Sequence, residues 1–174
     1  VRVEKSSENG QMVLLLMLIL LVLLALTALA VDGGMVYSNR SFLQSAADSV
    51  SLAAADKITR ELNVKNSSGN YLFTYENFSC SNSQVQTAVS QAIAEARLRA
   101  SASNILLDGD ISDGHGVEVI CNENSNGNGQ DKTIDVIVKM VSVTDTAFAH
   151  LVYRSPIKLQ VESFVRVFRL QPPE

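Results

Sequence analysis

Residues 12–31 read MVLLLMLILLVLLALTALAV, from Met12 to Val31, and the rest of the chain is arranged around this run. Twenty residues pass without a charge, and Thr27 is the only polar side chain among them. At a rise of ~1.5 Å per residue such a helix is ~30 Å long, the thickness of a bilayer's hydrocarbon core. Leucine lies on every face, so no stripe is reserved for a soluble core. A helix of this kind needs lipid or other helices around its whole circumference. Two roles fit equally: a plain membrane anchor, or a helix that leaves the membrane and packs against copies of itself. A cleaved signal peptide fits less well, because its apolar core is normally ~7–15 residues with small residues at a cleavage site close behind. Here the run leads straight into another helical pattern.

The chain has 174 residues, the length of one domain, or of one domain plus an appendage. Setting aside the first sixty or so leaves roughly 110, enough for a small independent core. Fourteen Lys and Arg against eighteen Asp and Glu give a formal charge of −4. With no basic patch in view, nucleic acid is not an expected partner. Arg2 and Lys5 precede the apolar run, and the next basic residue is Arg40. The positive-inside rule then puts the N-terminus in the cytoplasm and the remainder outside. A start at Val1 fits a processed mature form and a fragment equally. Cys80 and Cys121 both follow the run. On the exported side such a pair is most simply a disulfide, tying the loop before a second helix to the first clear strand. A two-ligand metal site is the weaker alternative, since neither cysteine has a histidine or second cysteine nearby.

Val1 to Gln11 is a polar head, with Ser6, Ser7 and Asn9 as helix-start residues. After Val31 come Asp32, Gly33 and Gly34, and paired glycines cost a helix roughly 1 kcal/mol each, so a bend is expected there. From Met35 to about Leu62 the apolar residues Phe42, Leu43, Ala46, Ala47, Val50, Ala53, Ala54, Ile58 and Leu62 recur at steps of three and four. That spacing predicts an amphipathic helix with an alanine-rich face. Asp48, Asp56, Lys57, Arg60 and Glu61 fall mostly on its solvated side.

The ordered elements Gly10-Gln11, the leucine-rich span, Ala30-Val31-Asp32-Gly33-Gly34, Tyr37, Ala46-Ala47-Asp48 and Leu52-Ala53-Ala54-Ala55 together resemble the N-terminal module of TadE/TadG-like proteins of Tad (Flp) pili. The resemblance covers about 46 residues, and this chain is too short for the von Willebrand-type insert of larger members. It implies a pilin-like α+β fold and a structural role. The subunit would sit in the cytoplasmic membrane before assembly and then enter a surface filament through a core helix that includes Met12, Leu16, Leu20, Leu24 and Val31. Its partners would be copies of itself and the membrane-bound assembly machinery. Type IV pilin-like proteins carry a docking glutamate near the mature N-terminus; here Lys5 holds the usual fifth position, and Glu4 and Glu8 are the nearest candidates.

Beyond the long helix, residues 63–82 turn polar, with YLFTY as a candidate short edge strand. Ser83 to Ser103 predicts a helix with Ser83 as its N-cap. VEVIC, TIDVIVKMVSV and IKLQVESFVRVFRL read as strands near 117–121, 133–143 and 157–169, forming one antiparallel sheet. TDTAFAHLVY between the last two reads as one or two helical turns. The second helix and the upper half of the long one are expected to cover the sheet's apolar face.

Motifs for catalysis are missing: there is no phosphate loop, HExxH, GxSxG or CxxC. His115 and His150 are far apart, and each is expected to have a local structural role. Asp108, Asp110 and Asp113 with Gly114 approach a calcium loop, but the glycine comes late and Val119 occupies the position of the bidentate glutamate. Solvated turn acids are the better reading, with an irregular calcium site as the alternative. Neither a cofactor nor a metal is expected. Among the three sequons, Asn66 and Asn77 lie in loop text and are candidate glycan acceptors, whereas Asn39 lies on the long helix. The expectation is an α+β pilin-like subunit: residues 1–34 as head, membrane or filament-core helix and joint, and 35–174 as the exported domain. The alternatives are a minor assembly protein retained in the inner membrane, and a membrane-anchored module that binds calcium or sugar.

Overall fold

The computed structural model describes residues 8–74, 77–107, 111–112, 114–123, 132–146, 148 and 155–167, apart from the side chains of residues 8 and 9. In chain order they form α1 (Glu8–Leu62), α2 (Ser83–Ala102), β1 (Gly116–Asn122), β2 (Thr133–Thr144) and β3 (Ile157–Arg166). The three strands make one antiparallel sheet with β2 in the centre, so the fold class is α+β as expected. The chain divides into two compact units, Val1–Asn39 with Val143–Lys158, and Arg40–Ser142 with Leu159–Glu174.

The second unit holds the core. From α1, Leu43, Ala47, Val50, Ala54, Ile58 and Leu62 are buried at steps of three and four. From α2, Val85, Ala88, Ala92, Ala96 and Ala100 are buried in the same rhythm. Alanine at these positions lets helices approach at the short end of the usual interaxial range. The bulk comes from Ile134, Val136, Val138 and Met140 on one face of β2, with Val117, Val161, Phe73 and Phe78 in the same cluster. This is the covering of the sheet by both helices that their apolar faces predict. On the solvated side of α1, Lys57 pairs with Glu61 at 2.9 Å and Arg60 with Asp56 at 2.8 Å. One polar contact lies inside the core: Ser51 Oγ donates to the Asp48 carbonyl at 3.0 Å and is 2.8 Å from Ser163 Oγ. With its own proton directed at Asp48, Ser51 accepts from Ser163, and both hydroxyls are satisfied.

Alternation along β2 puts Asp135, Ile137, Lys139 and Val141 on the other face of the sheet. Asp135 is buried, and Arg166 grips it through Nε at 2.7 Å and Nη2 at 2.9 Å, while Asn122 donates at 3.2 Å. Such a forked pair satisfies a carboxylate that would be costly to bury alone.

Two local expectations need correction. The N-cap of α2 is Asn82, not Ser83: its side chain accepts from the Gln84 amide at 2.8 Å, and Ser83 is the first helical residue. The helix ends in a left-handed Asn104 (φ 57°), with Asn104 N–H donating to Ser101 and Ile105 N–H to Ala100, the two bonds that close a Schellman motif. YLFTY forms no strand over its described residues. It contributes one bridge, Lys65 to Tyr71, with the ammonium 4.7 Å from the ring centre.

His115 has the structural role expected of it. The β1–β2 pairing stops at Gly116 and Lys139, so the Val141 amide has no strand partner on that side. The imidazole takes the place of one: Val141 N–H donates to Nδ1 at 3.1 Å, and Nε2 contacts the Leu106 carbonyl. Nδ1 as acceptor fixes the neutral tautomer with its proton on Nε2. Gly114 just before it has φ +77°, a left-handed turn that a side chain would strain. His115→Ala is expected to lower stability by roughly 1–2 kcal/mol, the cost of leaving an amide and a carbonyl without that partner. Urea denaturation followed by tyrosine fluorescence measures it, and an unchanged midpoint would show that the imidazole contributes nothing to stability.

Candidate membrane and assembly surface

The first unit carries the apolar half of α1. Sixteen large apolar side chains between Met12 and Val31 are 48–73% exposed in the single chain, on all sides of the helix. α1 is the one helix among the described residues long and apolar enough to cross a membrane, with a mean hydropathy of 3.2 in its most apolar stretch. Met12, Leu16, Leu20, Leu24 and Val31 all belong to this exposed set. Thr27, the single polar side chain, donates to the Leu24 carbonyl at 2.9 Å and adds no unsatisfied group.

Gly33 and Gly34 lie inside α1, not at a break between helices. A side-chain carbon at either would meet nothing within 4 Å. Among the described residues, their absence of bulk therefore serves no packing contact. Glu4 and Lys5 lie outside the described residues; Glu8 begins α1, and its side chain is outside them too.

A feature that local sequence patterns did not reveal lies beside the joint. Asp32 is 5% exposed, and both of its carboxylate oxygens accept the Phe148 backbone N–H, at 3.0 and 3.2 Å. Seven residues on, Asn39 Nδ2 donates to Thr144 Oγ1 at 3.2 Å. Ala28, Asp32, Val36 and Asn39 fall on one face of the helix, with Ala28 and Val36 half-buried. The chain leaving β2 thus lies along this face. Of the turn expected over 144–153, Thr144 closes β2, Asp145 and Thr146 have no regular structure and Phe148 sits at a bend. The remaining residues, His150 among them, lie outside the described set.

In the second unit, Cys80 and Cys121 form a disulfide with Cα atoms 5.8 Å apart. It joins the approach to α2 to the end of β1, and the metal alternative for this pair is thereby set aside. Lys132 Nζ donates to the Phe78 carbonyl at 2.8 Å, and the Cys80 amide contacts the Glu123 carboxylate. Among the described residues, no group of three His, Cys, Asp or Glu is placed to hold a metal. Asp108, Asp110 and Asp113 are outside them. Asn66 is exposed, and its Oδ1 accepts from the Ser68 and Asn70 amides at 3.0 Å each. Asn77 uses both ends of its amide, accepting from Thr74 and donating to the Leu72 carbonyl, each at 2.6 Å.

These features define a class: a small disulfide-bonded α+β domain carried on a helix built for lipid or for other helices. A family model described as "Putative Flp pilus-assembly TadE/G-like" matches residues 10–57, the stretch in which the sequence resemblance lies. Over that part of the chain the similarity is to a pilus-assembly family, which supports a pilus-related role, and the apolar helix within it fits insertion in a membrane. No curated protein and no solved structure matches the chain.

Proposed function

We propose that the chain is a structural subunit that polymerises through the apolar half of α1 into an extracellular Tad-like filament, after residence in the cytoplasmic membrane. One observation carries this reading. The sixteen large apolar side chains between Met12 and Val31 are each about half exposed or more, whereas the core of the second unit is closed without them. A surface of that extent has two stable environments, lipid and a bundle of like helices, and passage from one to the other is nearly neutral. Release into water would cost tens of kcal/mol, at roughly 1.5–3 kcal/mol for each large apolar side chain. A subunit drawn out of the bilayer must therefore enter a bundle at once.

Residues 35–174 would then be the exported domain, with Gly33 and Gly34 the soft point that lets it take its own angle to the bundle, and Glu4 or Glu8 docking against a neighbouring terminus. Export fits the disulfide, which forms in oxidising compartments. Gradual detergent removal from the purified chain tests the reading: filaments that pellet are expected. Single copies dispersed in added lipid, at every protein-to-lipid ratio, would leave α1 as an anchor only.

A further inference from the structure

Phe148 and the start of the chain segment after β2 occupy an unusual position. The phenylalanine is 47% exposed, and it lines a groove of about 370 Å³ together with Leu24, Ala25, Thr27, Ala28 and Val31. Leu24 to Val31 are the last two turns of the apolar run. At ~1.5 Å per residue the groove reaches ~10 Å below the end of that run. The Phe148 amide is level with Asp32, one residue past the run, and Phe148 shares the groove with the run's last two turns, so a segment contributed from more than a hundred residues away meets the edge of the hydrocarbon. The Phe148 N–H there is taken up by Asp32. The same contact shields the carboxylate at the end of the run from an apolar medium.

We propose that Phe148 is a second membrane contact of this chain, inserted beside α1 at the acyl–headgroup boundary of the exported-side leaflet, with Asp32 as the clasp that holds it there. The occupant of the groove is lipid. This inference rests on the membrane residence proposed above. Three features support it: continuity of the groove with the lipid-type surface of α1, its wholly apolar wall apart from the internally bonded Thr27, and a depth matching the ~5–10 Å to which interfacial elements sink. Tyr37, 76% exposed and six residues beyond Val31, lies on α1 where an aromatic belt would meet the headgroups. The contact would fix which face of α1 meets the interface before assembly, since a single helix leaves rotation about its own axis free.

The chain contains no tryptophan, so one introduced indole reports alone. Full-length Phe148→Trp and Leu24→Trp are reconstituted at low density in phosphatidylcholine vesicles. The quenchers are lipid brominated high on the acyl chain and, separately, aqueous iodide. Both variants are expected to be quenched by the brominated lipid within about two-fold of each other, and both protected from iodide. If Leu24→Trp is quenched while Phe148→Trp responds only to iodide, the inference is overturned and membrane residence stands. If Phe148→Trp is protected from both quenchers, protein fills the groove and the inference is again overturned. If neither variant is quenched by lipid, membrane residence itself fails, and the inference with it.

Discussion

Replacing Leu20 and Leu24 together by aspartate is expected to abolish filaments while leaving the disulfide-bonded domain folded. Both positions lie mid-run, 53% and 61% exposed on the single chain, so neither contributes to the chain's own core. In a bilayer an aspartate near the helix centre costs roughly 2.5–3.5 kcal/mol on insertion scales, so the pair costs about 5–7 kcal/mol. In a bundle of like helices the penalty is of the same kind, because a carboxylate buried without a partner must neutralise or draw in water. Either way the expected loss of polymer exceeds about a thousand-fold, at 1.4 kcal/mol per factor of ten. The pelleted fraction after detergent removal reads the effect, and peptide mapping of the Cys80–Cys121 bond verifies that the domain still forms. Normal filaments from this double variant would show that the apolar half of α1 has no part in assembly.

The second large effect is on stability. Cys80 and Cys121 are 41 residues apart, and closing a loop of that size is worth ~4 kcal/mol in the chain-entropy model. Small domains are stable by only ~5–15 kcal/mol in all, so loss of the bond removes a large share. The Cys80→Ser, Cys121→Ser double variant is therefore expected to lose about 4 kcal/mol in urea denaturation, with little change in what the native domain buries. The bond joins the approach to α2 to the far end of β1, and the Cys80 amide and Lys132 make their contacts close by. A loss below about 1 kcal/mol would mean that the unfolded chain already keeps this loop nearly closed.

Much of this architecture could be read from the residues. TIDVIVKMVSV alternates, and its apolar positions Ile134, Val136, Val138 and Met140 all turn inward. The alanine rhythms of α1 and α2 point to two helices on one sheet face because small residues at a 3.6 period leave little other explanation. The cysteine pairing was legible because only one partner was available. Legibility ended where the determining contact was remote. Asp32 reads locally as part of a joint with two glycines, yet its carboxylate accepts from an amide 116 residues away. Periodicity carries no signal for such a contact. The α2 N-cap was misread by one residue because Asn82 and Ser83 are both good caps, and the choice rests on backbone geometry. YLFTY has strand propensity but makes only one described bridge, a reminder that propensity without a partner strand makes no strand.

Imaging filaments of this chain by cryo-electron microscopy tests the central claim most directly. The expected density has the apolar halves of α1 from many copies bundled along the axis, with the Cys80–Cys121 domains forming the outer layer. Filaments whose contacts run between those domains, with the Met12–Val31 helices left outside the core or in detergent, would contradict it.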